Sequence, residues 1–185
     1  MILCFAVGEC CRFIDVRGDA IGVAQKILEE LAAEARPGFP GQVAVLTFVQ
    51  RAWEEVAAQT DNHLLASINV ETGYGALIWY VTEDRKPKRD INNQVWVTNS
   101  LHPVEVDPRV VADPDCGTFY HPRSTIPLDQ IRAALEEFCT MGTGDRPECV
   151  TWVSGGIDGR RDDEPYAGRA PDSTDAWQDP WSGNL

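Results

Sequence analysis

Apolar residues recur along this chain in two rhythms, every second position in some stretches and every third or fourth in others, with polar breaks between them. Residues 1–8 and 11–16 are rich in Ile, Phe and Val, which suits one or two short strands because such side chains pack well on a pleated surface. The period then lengthens. Val23, Ile27, Leu28, Leu31 and Ala35 share one helical face, Gln25, Lys26, Glu29, Glu30 and Glu34 occupy the other, and Asp19 supplies a capping oxygen. Pro37, Gly38, Pro40 and Gly41 end that helix. Residues 43–49 read as a strand, and residues 52–59 fit a short helix or a continuation equally well. Two apolar runs, 64–72 and 76–82, flank Gly73, Tyr74 and Gly75, the pattern of a hairpin.

Beyond the hairpin, residues 83–90 are charged, carry Pro87 and read as a loop, and 94–98 read as another strand. Residues 100–117 hold Pro103, Pro108 and Pro114 among Glu105, Asp107, Asp113 and Asp115, which predicts an acidic loop with a short edge strand at 104–106. A strand at 118–121 leads into a second helix. Pro127 suits its first turn because it lacks an N–H, Asp129 sits at the positive end of the dipole, and Leu128, Ile131, Ala134, Leu135 and Phe138 form the buried stripe. Gly142 and Gly144 stop it, and 149–153 form a final strand. After Ser154 the composition turns to Gly, Pro, Asp and Ser, too poor in aliphatic residues to offset the entropy of ordering, so 155–185 are expected to be flexible. The prediction is a single α+β domain over 1–154, a mainly antiparallel sheet with two packed helices, followed by an acidic flexible tail.

Charge narrows the range of partners. The chain has 29 Asp and Glu against 16 Lys and Arg, a formal net charge of -13. Such a surface repels nucleic-acid backbones and anionic lipid and attracts basic proteins. The first apolar run lacks a preceding basic residue and meets Glu9 early, so no export signal is expected, and no stretch approaches the roughly 20 apolar residues of a membrane span. A cytoplasmic protein that binds neither nucleic acid nor membrane is the expectation.

Candidate chemistry is sparse. The six cysteines, Cys4, Cys10, Cys11, Cys116, Cys139 and Cys149, lack the C-x2-C spacing of metal sites and are expected to be reduced, buried apolar residues, with Cys10 and Cys11 on opposite faces of a strand. His63 and His102 are isolated, so neither metal nor cofactor is expected. Cys116 and His121, five residues apart, are the one pairing that offers a nucleophile with a base. The carboxylate pairs Glu29–Glu30, Glu54–Glu55 and Glu136–Glu137 read as solvated helix faces. The glycines at 155, 156 and 159 lack the following helix that a phosphate loop needs. The basic run at 85–89 reads as a solvated loop tip. Trp79 and Trp152 are core candidates and Trp53 and Trp96 fit either role, whereas Trp177 and Trp181 stand among acids in the tail, where they suit docking on a basic partner.

One combination is more specific. The run Thr118-Phe-Tyr-His-Pro-Arg-Ser-Thr-Ile-Pro127, the helix after it, Gly142, Arg146-Pro147 and Cys149-Val-Thr-Trp152-Val resemble the C-terminal signature of a bacterial immunity-protein family. That family is the first-numbered of the immunity families of polymorphic toxin systems. The strand Gly73-Tyr-Gly-Ala-Leu-Ile-Trp-Tyr80 is similar to the glycine and aromatic strand that precedes that signature, so the resemblance covers about residues 64–153. It implies a protein that neutralises a cognate toxin, often a nucleic-acid deaminase, without turnover. The signature residues Gly75, Phe119, Pro127, Pro147 and Trp152 are of structural type. Toxin contacts are therefore expected on the acidic loops, at Asp84, Glu105, Asp107, Asp113 and Asp115, with a share for Trp177 and Trp181. Two other readings stand beside this one: a small cysteine-dependent enzyme using Cys116 and His121, and an acidic adaptor that binds through its tail.

Overall fold

The computed structural model describes residues 2–8, 10–35, 41–49, 62–81 and 95–164. The readings made for 52–59 and 83–90, together with Trp53, lie outside those residues, as do Asp84, the basic run at 85–89, Trp177 and Trp181.

In chain order the elements are β1 (Ile2–Val7), β2 (Cys10–Asp15), α1 (Ala20–Ala33), β3 (Val43–Val49), β4 (Asn62–Asn69), β5 (Tyr74–Val81), β6 (Val95–Thr98), β7 (Val111–Asp113), β8 (Thr118–Phe119), β9 (Ile126–Pro127), α2 (Leu128–Met141) and β10 (Trp152–Gly155). Among the described residues the main sheet runs β10-β6-β5-β4-β3-β1-β2, every pairing antiparallel, with β9 beside the start of β5. The fold is α+β as the pattern predicts.

Both helices pack on one face. Their stripes, Val23, Ala24, Ile27 and Leu31 from α1 and Ile131, Ala134, Leu135 and Phe138 from α2, meet Leu3, Phe5, Leu46, Leu64, Ala66, Leu77 and Trp79 from the sheet. Each large side chain fully buried in this way contributes about 1.5–3 kcal/mol. Asp19 caps α1 by accepting from Gly22 N at 2.9 Å, and α2 closes at Gly142, whose N–H reaches Phe138 O at 3.1 Å. Gly75 lets α2 approach β5: a Cβ there would stand 2.7 Å from Ser67 O and 2.8 Å from Ile131 Cγ1.

The opposite face has its own cover. Leu65, Ala76, Ile78 and Val97 are closed over by Val110, Ala112 and Tyr120, carried by the two-stranded β7–β8 unit. Thus β4 and β5 are buried on both faces, which explains why they read as continuous apolar runs. Between β6 and β9 a fully buried threonine fills the break in the ladder. Thr98 Oγ1 accepts from Leu77 N at 3.1 Å and donates to Ser124 O at 2.6 Å.

Several boundaries differ from the pattern. The β4–β5 turn lies at 70–73 rather than 73–75, because Asn69 Oδ1 accepts from Glu71 N and Thr72 N and draws the turn forward. The edge strand expected at 104–106 is absent and the strand of that region is β7, since Pro103 and Pro108 remove ladder donors on either side of Val106. The final strand is shorter and later than 149–153. Only Cys4 and Cys139 of the six cysteines are buried; Cys10, Cys11, Cys116 and Cys149 are exposed, because β2 is an edge strand and the other two stand in loops.

Residues 155–164 also depart from the expectation of a flexible segment. They turn back and form an antiparallel bridge between Gly155 and Arg161. Gly159, at φ +79°, lies against the second core, where a Cβ would come within 2.8 Å of Ala112 Cβ and 3.0 Å of Tyr120. Arg161 is 2% exposed. Its guanidinium donates to both oxygens of Asp163 at 2.8 Å, to Asn99 Oδ1 at 2.9 Å and to Arg123 O at 3.1 Å. A count of aliphatic residues misses this anchor because it is made by a paired charge.

Candidate functional site

The acidic segment after β6 is an arch held at both feet. At the first, Asn99 N donates to Thr151 O at 2.8 Å and Ser100 N donates to Arg123 O at 2.7 Å. At the second, Pro108 O accepts from Asn69 Nδ2 at 2.9 Å and from Thr72 Oγ1 at 3.1 Å. Asp107 Oδ1 accepts from Arg109 N at 2.8 Å, and the Arg109 guanidinium lies 4.6 Å over the Phe119 ring. Arg109 has φ +50°, a conformation unusual for a side-chain-bearing residue.

Between the feet, residues 101–107 project outward. Glu105 and Asp107 are exposed as expected, but so are two aliphatic side chains, Leu101 at 72% and Val106 at 80%. An aliphatic group costs free energy in water, so two of them beside carboxylates on anchored backbone make a surface suited to a partner with matching apolar and basic groups. Charge alone marks the acids of this segment and misses these two. The signal lay in Pro103 and Pro108, which leave the alternation of Val104 and Val106 without a strand to pair with.

The second acidic position is the β7–β8 turn. Asp113 Oδ1 accepts from Asp115 N at 2.9 Å and Cys116 N at 3.2 Å, so this carboxylate shapes the turn, and those bonds hold it below the usual carboxylate range. Asp115 is exposed beside it.

Cys116 and His121 have separate local partners. The Asp113 carboxylate pushes the Cys116 thiol above its usual range, which disfavours the thiolate that nucleophilic attack requires. His121 Nδ1 accepts from Arg123 N at 3.2 Å and caps the single 3-10 turn Pro122–Ser124. No hydrogen bond joins the two among the described residues. A depression of about 480 Å³ between the start of α1 and the end of α2 contains Asp19 and Cys139. The Asp19 carboxylate is taken by Gly22 N, and burial pushes the Cys139 thiol up to about 12. Among the described residues no three His, Cys, Asp or Glu side chains converge as a metal would require.

A contrasting loop joins α2 to β10. Arg146 turns inward, its guanidinium carbon 4.2 Å over Trp96 and 5.8 Å from both Trp79 and Trp152. Burial holds Arg146 below its usual range. The indoles also fasten the loop itself: Trp79 Nε1 donates to Gly144 O at 3.0 Å and Trp152 Nε1 to Pro147 O at 2.8 Å. Asn62 Nδ2 adds a third bond, to Gly144 O at 2.8 Å.

These elements, the Gly75 strand, Phe119, Pro127, Arg146-Pro147 and Trp152, are the ones that carry the family resemblance, and each now has a structural task. The family model described as Immunity protein Imm1 matches residues 24–154, well over half of the chain. The chain belongs to the Imm1 family. Comparisons with curated proteins and with solved structures returned no match. Membership in this family implies an immunity protein whose partner is a protein toxin. Both the arch and the tryptophan-lined loop fall inside the Imm1 match, whereas the Arg161 anchor lies beyond it. Among the described residues no helix is long and apolar enough to cross a membrane.

Proposed function

We propose that this Imm1 protein works in the cytoplasm of the producing cell by seating its acidic, aliphatic arch in the active-site cleft of a cognate toxin that acts on nucleic acid, a deaminase or another nucleic-acid-targeting enzyme. The observation that carries the reading is the arch itself, which presents Leu101 and Val106 next to Glu105 and Asp107 on backbone tied down at both feet. Anchoring reduces the entropy lost on binding. A cleft built to hold a phosphate backbone offers positive charge to the carboxylates, and the net charge of -13 speeds encounter with such a surface. Asp84, Asp113 and Asp115 extend the proposed contact, with Trp177 and Trp181 as further candidates. Inhibition is by occupancy, so the protein consumes nothing and changes no bond.

The test is titration of this protein against the purified domain of its cognate toxin. Replacing Glu105→Gln, Asp107→Asn, Asp113→Asn and Asp115→Asn together removes charge, while the amide oxygen introduced by Asp113→Asn can still accept the bonds that shape the turn. The expected result is at least about a tenfold loss of affinity and a flatter dependence on salt. Unchanged affinity and an unchanged salt slope would remove these residues from the interface.

A further inference from the structure

Cys4 and Cys11 sit on neighbouring strands, and their sulfurs are 3.1 Å apart. Strand geometry explains why this pair meets. The register sets Cys4 opposite Phe13 and Ala6 opposite Cys11, so the two cysteines are diagonal neighbours across the β1–β2 hairpin. Leu3, Phe5 and Val7 face the helices, which turns Cys4 to the other face, and Cys11 points the same way. Cys10, one residue earlier on β2, points toward the helix side, where the following alternate residue Arg12 pairs with Glu30 of α1 at 3.1 Å. Cys11 is exposed and open to a small reagent, while Cys4 is buried directly behind it.

We propose that Cys4 and Cys11 form an oxidisable dithiol, a modification site at which a low-molecular-weight disulfide such as glutathione disulfide converts the pair to an intramolecular cystine. The Cys11 thiolate attacks one sulfur of the reagent. Its S–S bond breaks, one reagent thiolate leaves and takes up a proton, and a mixed disulfide remains on Cys11. The Cys4 thiol then gives its proton to solvent and its sulfur attacks Cys11 Sγ, expelling the second reagent thiol. Two protein thiols are oxidised and one reagent disulfide is reduced to two thiols. The product fastens β2, which is bonded to a neighbour on one side only, to β1. Of the other exposed thiols, Cys10 faces away from Cys4, Cys116 lies beside Asp113 and Cys149 beside Glu137.

The experiment treats the full chain with glutathione disulfide, blocks remaining thiols under denaturing conditions and maps the peptides by mass spectrometry. The expected product is a peptide pair joined through Cys4 and Cys11, two hydrogens lighter than the reduced form, with an upward shift of the urea midpoint. Cys10→Ser keeps both the bond and the shift. Cys4→Ser loses both and leaves a glutathione adduct on Cys11 that a competent pair would have displaced. A persistent adduct on Cys11 in the parent chain, a bond formed through Cys10, or no bond at all overturns the proposal. None of these readings involves the toxin, so the result is independent of the inhibitory role.

Discussion

Among the described residues, the loop from α2 to β10 and the arch after β6 both contain proline and charge, and they dispose of the charge in opposite ways. The loop from α2 to β10 turns Arg146 inward against Trp96, with Trp79 and Trp152 close by, and commits the indole N–H groups of Trp79 and Trp152 to its own carbonyls. The arch at 101–107 turns its acids outward and exposes Leu101 and Val106 with them. The first loop is an internal fastening and the second is a surface held ready by fastenings elsewhere. The difference separates what maintains the fold from what is free to recognise a partner. The proposed contacts accordingly lie on the arch and not on the residues that identify the family.

The strongest way to break this division is to exchange the expected effects. Trp79→Ala removes a fully buried indole and the bond to Gly144, and should cost about 3–5 kcal/mol in urea unfolding. Leu101→Ala with Val106→Ala should change stability by less than about 0.5 kcal/mol, since both side chains already face water. Equal losses from the two variants would erase the distinction between fastening and surface.

A second comparison lies within the last thirty or so residues. Ending the chain after Ser154 removes Arg161 and uncovers Tyr120 and Ala112, and should cost about 1–3 kcal/mol in unfolding free energy. Ending it after Glu164 keeps the whole anchor and should leave stability unchanged. The second truncation is therefore the proper one for asking whether Trp177 and Trp181 contribute to binding. Retained toxin affinity assigns recognition to the arch, and complete loss assigns it to the tail.

The smallest effect concerns acid. The Arg161 guanidinium holds the Asp163 carboxyl below the usual carboxylate range. A carboxyl whose folded value is depressed contributes stability that is present above its unfolded value, about 3.9, and is lost as pH falls through the folded value. Asp163→Asn should therefore lower stability near neutrality while softening its decline below about pH 4, as read from thermal unfolding across that range.

Much of the fold was legible because it rests on periodicity. The stripes of α1 and α2 follow from the 3.6-residue repeat, the Asp19 cap from its residue type, and β4 and β5 from unbroken apolar runs on either side of a glycine-bearing turn. The strand order was not legible, because pairing β1 with β3 across a helix depends on contacts distant in sequence. Of the β7–β8 cover only β8 was legible, within the strand expected at 118–121; β7 escaped because three residues leave no period to read. Of the candidate site, the acids were visible as composition, whereas the exposure of Leu101 and Val106 depends on where the feet of the arch are bonded. Arg161 was hidden for a related reason: its burial is stabilised by a carboxylate and by carbonyl and amide oxygens, and neither its residue type nor its surroundings signal a core.

Amide hydrogen exchange, measured on the chain alone and in complex with its cognate toxin domain, bears most directly on the division of labour between the two loops. Protection should rise across residues 101–107 and their feet while the Arg146 loop stays as it was. If 101–107 exchange at the same rate with and without toxin, and another face becomes protected, the arch is not the surface that meets the toxin.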